Sequence, residues 1–273
     1  MNALVKANVS IITFKPQTTR HRIQGILNGD DFQIVFSDTP GFVHDPSYRM
    51  HEKMNRYVHS TFEDADVMLL IVDHKDVFTK EHVLVRKLPK LSCPIFLVLN
   101  KMDLLQPVQI LMAINAWKDL HSFQEILPVS ALTGKGVRPL FDLIKANLPE
   151  GPKYFPEDQL SNRPERFFVS EIVREQIFIQ YRDEIPYSCE VAVESFKEES
   201  DIIRIEAYIF VNRKSQKPIL IGKNAEAIKK LGTHSREKME DFFSKKIFLS
   251  LRVKVRENWR DNDNLLDKLG YSR

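Results

Sequence analysis

The sequence predicts an α/β chain in two parts: a mostly parallel sheet layered with helices, followed by a smaller α+β domain. Three observations carry this. Runs that are apolar throughout, VMLLIVD (67–73), PIFLVLN (94–100) and ILPVS (126–130), alternate with helix-like stretches. That is the pattern of a parallel sheet covered on both faces. Residues 149–166, PEGPKYFPEDQLSNRPER, hold four prolines and little periodicity, which reads as a linker. Beyond it, two segments alternate apolar and polar residues as paired strands do. The divisions are a first domain at 1–149, a linker at 150–166 and a second domain at 167–273.

In chain order, 32–37 reads as a strand and 48–63 as a helix. The strand 67–73 is followed by a helix-like stretch at 79–90, the strand 94–100 by one at 107–121, and the strand 126–130 by a helix at 136–148. After the linker, 167–182 has helical period, and 187–195 and 202–212 are the paired strands. KPILIGKNAEAIKKLG leads into a helix ending near 244, and IFLSLRVKVR (247–256) is a final strand. No internal repeat or low-complexity tract interrupts this order.

Two domains with separate cores fit within 273 residues, 43% of them hydrophobic. The longest apolar run, VMLLIV (67–72), is far too short to span a bilayer, and no signal segment opens the chain. Cys93 and Cys189 stand in no metal-ligand spacing, so a reduced, cytoplasmic protein with two small buried thiols is expected. The net charge of +3 is unevenly spread. Residues 201–273 carry 17 Lys and Arg against 10 Asp and Glu, a net +7, which leaves −4 for the first 200. A basic second part facing a polyanion and a solvated lysine-rich surface both fit that asymmetry.

Loops at the carboxyl ends of parallel strands are where ligands bind, and three of them carry the most specific tetrads. FQIVFSDTPGF (32–42) is a strand that ends at Asp38 and breaks at Thr39-Pro40-Gly41. An aspartate so placed commonly holds Mg²⁺ in phosphate chemistry. A DTPG tetrad arises by chance in roughly one such chain in six hundred.

After PIFLVLN comes Asn100-Lys101-Met102-Asp103. A carboxylate such as Asp103 accepts two parallel hydrogen bonds from the N1–H and exocyclic amine of guanine, a donor pair adenine lacks. Asn100 either reaches the base edge or ties neighbouring loops together, and the Lys101 stem lies along the purine face. Ser130-Ala131-Leu132 follows the next strand and offers a backbone N–H to the guanine carbonyl. Upstream, KPQTTRHR (15–22) reads as a polar, mobile loop. Its Thr19, preferred over Thr18, is the candidate Mg²⁺ ligand that responds to a γ-phosphate. Together these motifs predict a guanine-nucleotide site.

KPQTTRHR, DTPG, NKMD and SAL, followed by a basic second domain, resemble the Era family of bacterial GTPases over essentially the whole chain. The resemblance implies a P-loop-GTPase-like sheet followed by a type II KH domain. It also implies GTP and GDP as ligands, Mg²⁺ held by Thr19 and Asp38, and GTP hydrolysis as the activity. In this family the residue after DTPG is hydrophobic, here Phe42, so no catalytic base is assigned there. Water positioning then falls to another group, such as backbone or K⁺.

ILIGKNAEAIKKLG resembles the core of a KH domain, with Gly222-Lys223-Asn224-Ala225 at the turn that approaches the RNA backbone. Alanine at the fourth position departs from the G-x-x-G pattern, and it crowds the phosphate or demands a φ that alanine dislikes. Lys223, Lys229, Lys230, Arg213, Lys214 and Lys217 supply positive charge at or before the turn. Trp259 and Tyr271 are read as packing residues. The resemblance implies recognition of the 3′ end of small-subunit rRNA during assembly of the small ribosomal subunit. It further implies a monomer in the cytoplasm, with peripheral association at the inner membrane left open.

One element of the pattern is not found. GTPases of this kind use G-x-x-x-x-G-K-[ST], whose backbone cradles the phosphates. Gly-Lys occurs only at 134–135 and 222–223, where the position of the first glycine is held by Val129 and Lys217. MNALVKANVSI resembles the middle of the helix that follows this loop in the family. The expectation is therefore that about twenty residues precede Met1, including the sheet's first strand and the Walker A loop. Without that strand, 32–37 and 67–73 flank a gap, and the chain as written binds GTP poorly. The alternative is an RNA-binding KH module whose GTPase-like half is structural only.

Overall fold

The computed structural model describes residues 1–271; the final two residues of the predicted second domain lie outside the described residues. In chain order the elements are α1 (Asn2–Val5), β1 (Ile23–Asn28), β2 (Gln33–Asp38), α2 (Arg49–Asp64), β3 (Met68–Val72), β4 (Ile95–Leu99), α3 (Pro107–Lys118), β5 (Glu125–Pro128), α4 (Val137–Ala146), α5 (Glu165–Gln180), α6 (Ile185–Ser188), β6 (Cys189–Glu198), β7 (Ile202–Val211), α7 (Gln216–Ile221), α8 (Glu226–Phe243), β8 (Lys246–Val255) and α9 (Asp263–Leu266). The chain forms two compact units that interleave in sequence. One contains residues 1–7, 26–36 and 59–159; the other contains 8–25, 37–58 and the chain from 160 onward.

In the first unit, β3, β4 and β5 form a parallel sheet in that order, with Leu70 opposite Leu97 and Val98 opposite Leu127. All five residues of β4 are buried. Alternate side chains of a strand point to opposite faces, so β4 feeds two cores. Val98 joins Ile34, Val129, Leu140 and Ile144 on one side. Leu97 and Leu99 join Val72, Met102 and Trp117 on the other. Burying each such side chain contributes roughly 1.5–3 kcal/mol. β1 and β2 make a separate two-stranded sheet, so β2 does not pair with β3.

In the second unit, β6 runs antiparallel to β7, and β7 parallel to β8. One face carries the core of Val173, Ile177, Ile205, Ile209, Leu231 and Met239, which seats α5 and α8 on the sheet. The alternating burial of β7 is that of a sheet covered on one side. A second cluster joins Val43, Met50 and Met54 to Trp259, Leu266 and Tyr271. Trp259 and Tyr271 are thus packing residues, as expected.

Two expectations fail. Residues 79–90 form irregular turns and a single 3₁₀ turn at Leu88–Lys90 instead of a helix. Two β-branched valines, Val83 and Val85, and Pro89, which has no N–H, leave a segment too short to repay helix nucleation. The strand β1 was not anticipated. Its sequence, IQGILN, contains a glycine and too few residues for a periodic signal.

Candidate functional site

The NKMD and SAL loops are built at the carboxyl ends of β4 and β5. Lys101 sits at a left-handed φ of 62°, which turns the chain sharply after Asn100. Asn100 Oδ1 accepts a hydrogen bond of 3.0 Å from the Ala131 N–H, and the Met102 N–H donates to the Val129 carbonyl at 3.1 Å. Of the two roles open to Asn100, it takes the structural one and ties the two loops together.

Lys101 Nζ lies 2.6 Å from Asp73, the residue just after β3. Against the opposing effect of burial, the bond from Lys101 and that from the Lys75 N–H hold the Asp73 carboxyl below its usual range. Asp103 is exposed and its carboxylate meets no donor or cation among the described residues. Ser130 is buried and its Oγ accepts from the Thr133 N–H. With the Ala131 N–H used by Asn100 and the Ser130 N–H by the Lys135 carbonyl, the Leu132 N–H meets no acceptor among the described residues.

β2 ends at Asp38 as the sequence implies, and Thr39-Pro40-Gly41 breaks the strand. Ser10 Oγ donates to Asp38 Oδ2 at 2.7 Å. Burial pushes the Asp38 carboxyl up, opposed by the bonds from Ser10 and the Thr39 N–H. Such a carboxylate is short of positive charge.

The expectation of a polar, mobile loop at 15–22 needs correction, because Arg20 and His21 are buried. Lys15 Nζ donates to the Phe178 and Tyr181 carbonyls at the end of α5, where a cation suits the helix dipole. Arg174 donates to the Thr18 carbonyl, and Thr19 is half-buried. Arg20 donates to Glu190 at 3.0 Å and to the Cys189, Pro186 and Tyr187 carbonyls. Tyr271 Oη donates to the same Glu190 at 2.5 Å. A buried guanidinium persists only when paired this fully.

The Gly222–Ala225 turn links α7 to α8. Gly222 (φ 73°, ψ 173°), Asn224 (φ 52°) and Ala225 (φ 61°) all have positive φ. A Cβ on Gly222 would come within 2.6 Å of the Ala227 side chain, so the first position requires glycine. Ala225 adopts the conformation that the sequence reading said alanine would dislike. Lys223, Lys229, Lys230, Arg213, Lys214 and Lys217 are all exposed, and none forms an ion pair among the described residues.

Sequence reasoning missed Asp73, Ser10 and Glu190. Asp73 had a signal, since VMLLIVD ends at an acid just as β2 does. The other two act across the fold and leave no local trace.

Comparison with known proteins places this geometry. The family described as 50S ribosome-binding GTPase matches residues 1–101, and the KH domain family matches 184–260. GTPase Era of Syntrophus aciditrophicus is 43% identical over 275 residues, spanning 100% of this chain and 90% of that protein. GTPase Era of Clostridium botulinum (strain Alaska E43) is 41% identical, spanning 100% and 93%. Among solved structures, an Aquifex aeolicus Era variant bound to GDP·AlF₄⁻ superposes with a TM-score of 0.94 at 32% identity, covering 100% of this chain and 93% of that one. Era in complex with MgGDPNP and nucleotides 1506–1542 of 16S ribosomal RNA superposes at 0.93, with the same identity and coverage. Identity of this order along the full 273 residues goes well beyond a shared fold: the chain belongs to the Era family of GTPases, with a P-loop-GTPase-like domain followed by a C-terminal KH domain.

Proposed function

We propose that this chain works as a guanine-nucleotide switch on small-subunit ribosomal RNA, binding near its 3′ end during assembly of the subunit. The observation that carries the nucleotide half is the unpartnered Asp103 carboxylate beside loops locked by Asn100 and Ala131. Asp103 takes the guanine N1–H and amine, Lys101 lies along the purine, and the Leu132 N–H meets the guanine carbonyl. Thr39, Pro40 and Gly41 shape the turn that presents Asp38. The desolvated Asp38 carboxylate fits a divalent cation, and Asp38 with Thr19 would hold Mg²⁺. Bound there, the metal would neutralise charge on the outer phosphates. A role for K⁺ rests on the family alone.

The RNA half rests on the left-handed Gly222-Lys223-Asn224-Ala225 turn. There the backbone meets the sugar-phosphate chain, with Lys223, Lys229, Lys230, Arg213, Lys214 and Lys217 around it. The domain division at 149 and 167 belongs to the same reading, and both matched family segments fall inside it. So do a monomeric state and a cytoplasmic location. Among the described residues no helix is long and apolar enough to cross a membrane.

Fluorescent GDP and its xanthine counterpart test the first half. Asp103→Asn should move preference from guanine to xanthine, and an unchanged preference removes Asp103 from the role.

A further inference from the structure

Within the second unit lies a cavity of about 430 Å³ that shares Gln17 and Arg20 with the KPQTTRHR segment and Arg213 with the basic group near the Gly222 turn. Its size falls in the range of small-ligand pockets, roughly 300–1,000 Å³. Arg20, Tyr48, His51, Arg213, Gln216 and Arg260 are among its lining residues. The Arg260 guanidinium lies 3.7 Å from the Tyr48 ring centroid, and His51 meets Tyr48 edge-on at 5.2 Å. Met50, Met54 and Tyr187 supply the apolar wall. Aromatic faces with flexible thioethers suit a flat ring.

The charge in this cavity is not balanced. Arg20 is already spent on Glu190 and three carbonyls. Arg213 and Arg260 form no ion pair among the described residues. Arg260 Nε is buried without any hydrogen-bond acceptor, an arrangement that costs energy unless a ligand fills it. The one acid on the lining, Glu184, is exposed and pairs with neither.

His51 accepts a hydrogen bond at Nδ1 from the Ser47 N–H, which places its proton on Nε2. Burial, then the charges of Arg20 and Arg260, hold the imidazole below its ordinary value, with Asp261 opposing. Gln216 uses Oε1 on the Arg213 N–H and keeps its amide N–H₂ as a donor.

We infer that this cavity binds a nucleoside phosphate, either free or as an unpaired nucleotide of an RNA. Its ring stacks among Tyr48, Tyr187 and the methionines, and its phosphate takes Arg213 and Arg260. No residue of the NKMD or SAL loops contributes, so the inference stands apart from the guanine site. The walls include Gln17, Arg20 and the start of α2, the segments on either side of DTPG, so an occupant would restrain them.

The test follows the His51 ring signal by NMR in the whole chain. It is titrated with adenosine 5′-monophosphate, with adenosine, with inorganic phosphate and with a single-stranded RNA hexamer. The nucleotide should shift His51 saturably, with adenosine or phosphate alone about tenfold weaker or more. Arg260→Gln and Arg213→Gln should each weaken binding about tenfold, while Asp103→Asn leaves it intact. Arg213 is exposed, so its variant folds regardless. A shift with the hexamer alone, lost in Arg260→Gln, assigns the cavity to an RNA nucleotide. No His51 shift with either ligand, or affinity unchanged in both arginine variants, overturns the inference.

Discussion

Each unit holds a three-stranded sheet, and the two sheets are sealed very differently. In the first, β4 is buried along its whole length while its neighbour β3 leaves Ile71 53% exposed. In the second, ten-residue strands pair from end to end, from Ile202 with Lys246 to Val211 with Val255. A parallel sheet needs cover on both faces, whereas the mixed sheet beside α5 and α8 needs only one. The second sheet meets its requirement in full, and the first meets it only around β4. The lesson is that uneven burial within one sheet separates its central strand from its edges, since neither β3 nor β5 approaches the burial of β4.

Four measurements break or sharpen this contrast. Trp259→Ala, at a fully buried position whose indole donates to the Ser188 carbonyl, should cost about 3–5 kcal/mol. Calorimetry should show the loss in the transition of the second unit; a loss confined to the first unit would break the comparison. Within the first sheet, Leu97→Ala should cost about 2–5 kcal/mol and Ile71→Ala under about 1 kcal/mol. Equal urea midpoints for the two variants would mean that β3 is as well packed as β4.

The third measurement concerns acid. His21 donates from Nδ1 to the Gly270 carbonyl, and burial lowers its pKa from 6.5 to about 4. Folded chains stay neutral at His21 down to about pH 4, while unfolded chains protonate it near 6.5. Its contribution is therefore complete above pH 6.5 and drains away between 6.5 and 4. The second unit should lose stability from pH 7 to pH 5, and His21→Asn should lose less; identical losses would acquit His21. The fourth measurement concerns the turn. Ala225→Gly should stabilise the second unit by roughly 1 kcal/mol and tighten single-stranded RNA binding. A destabilised variant would mean that the left-handed alanine is not strained.

Much of this was legible in the sequence because it is local. The apolar runs, the acid-ending strands and the Gly222 turn each announce themselves within ten residues. The stretch 79–90 misled because its apolar spacing was helical while its valines and Pro89 opposed a helix. What stayed hidden was pairing at long range. Arg20 with Glu190, Ser10 with Asp38 and Lys15 with the end of α5 are fixed by tertiary packing, and no period or propensity encodes them. Asp73 lies between these cases, visible as a strand-end acid but meaningful only once Lys101 is seen to reach it.

The anchoring of residues 15–22 has a consequence for how the chain is made. Lys15, Thr18, Arg20 and His21 find their partners at 174–190 and at 270. A ribosome adding ~5–20 residues per second delivers those partners on the order of ten seconds to under a minute later. Through that interval the uncharged, β-prone stretch VSIITF (9–14) waits for its partner on α5, where Glu175 accepts from the Ile12 N–H. Such a stretch is the kind that aggregates or recruits a chaperone. A segment made long before its partners is among the last to settle, and synthesis rate becomes a determinant of yield.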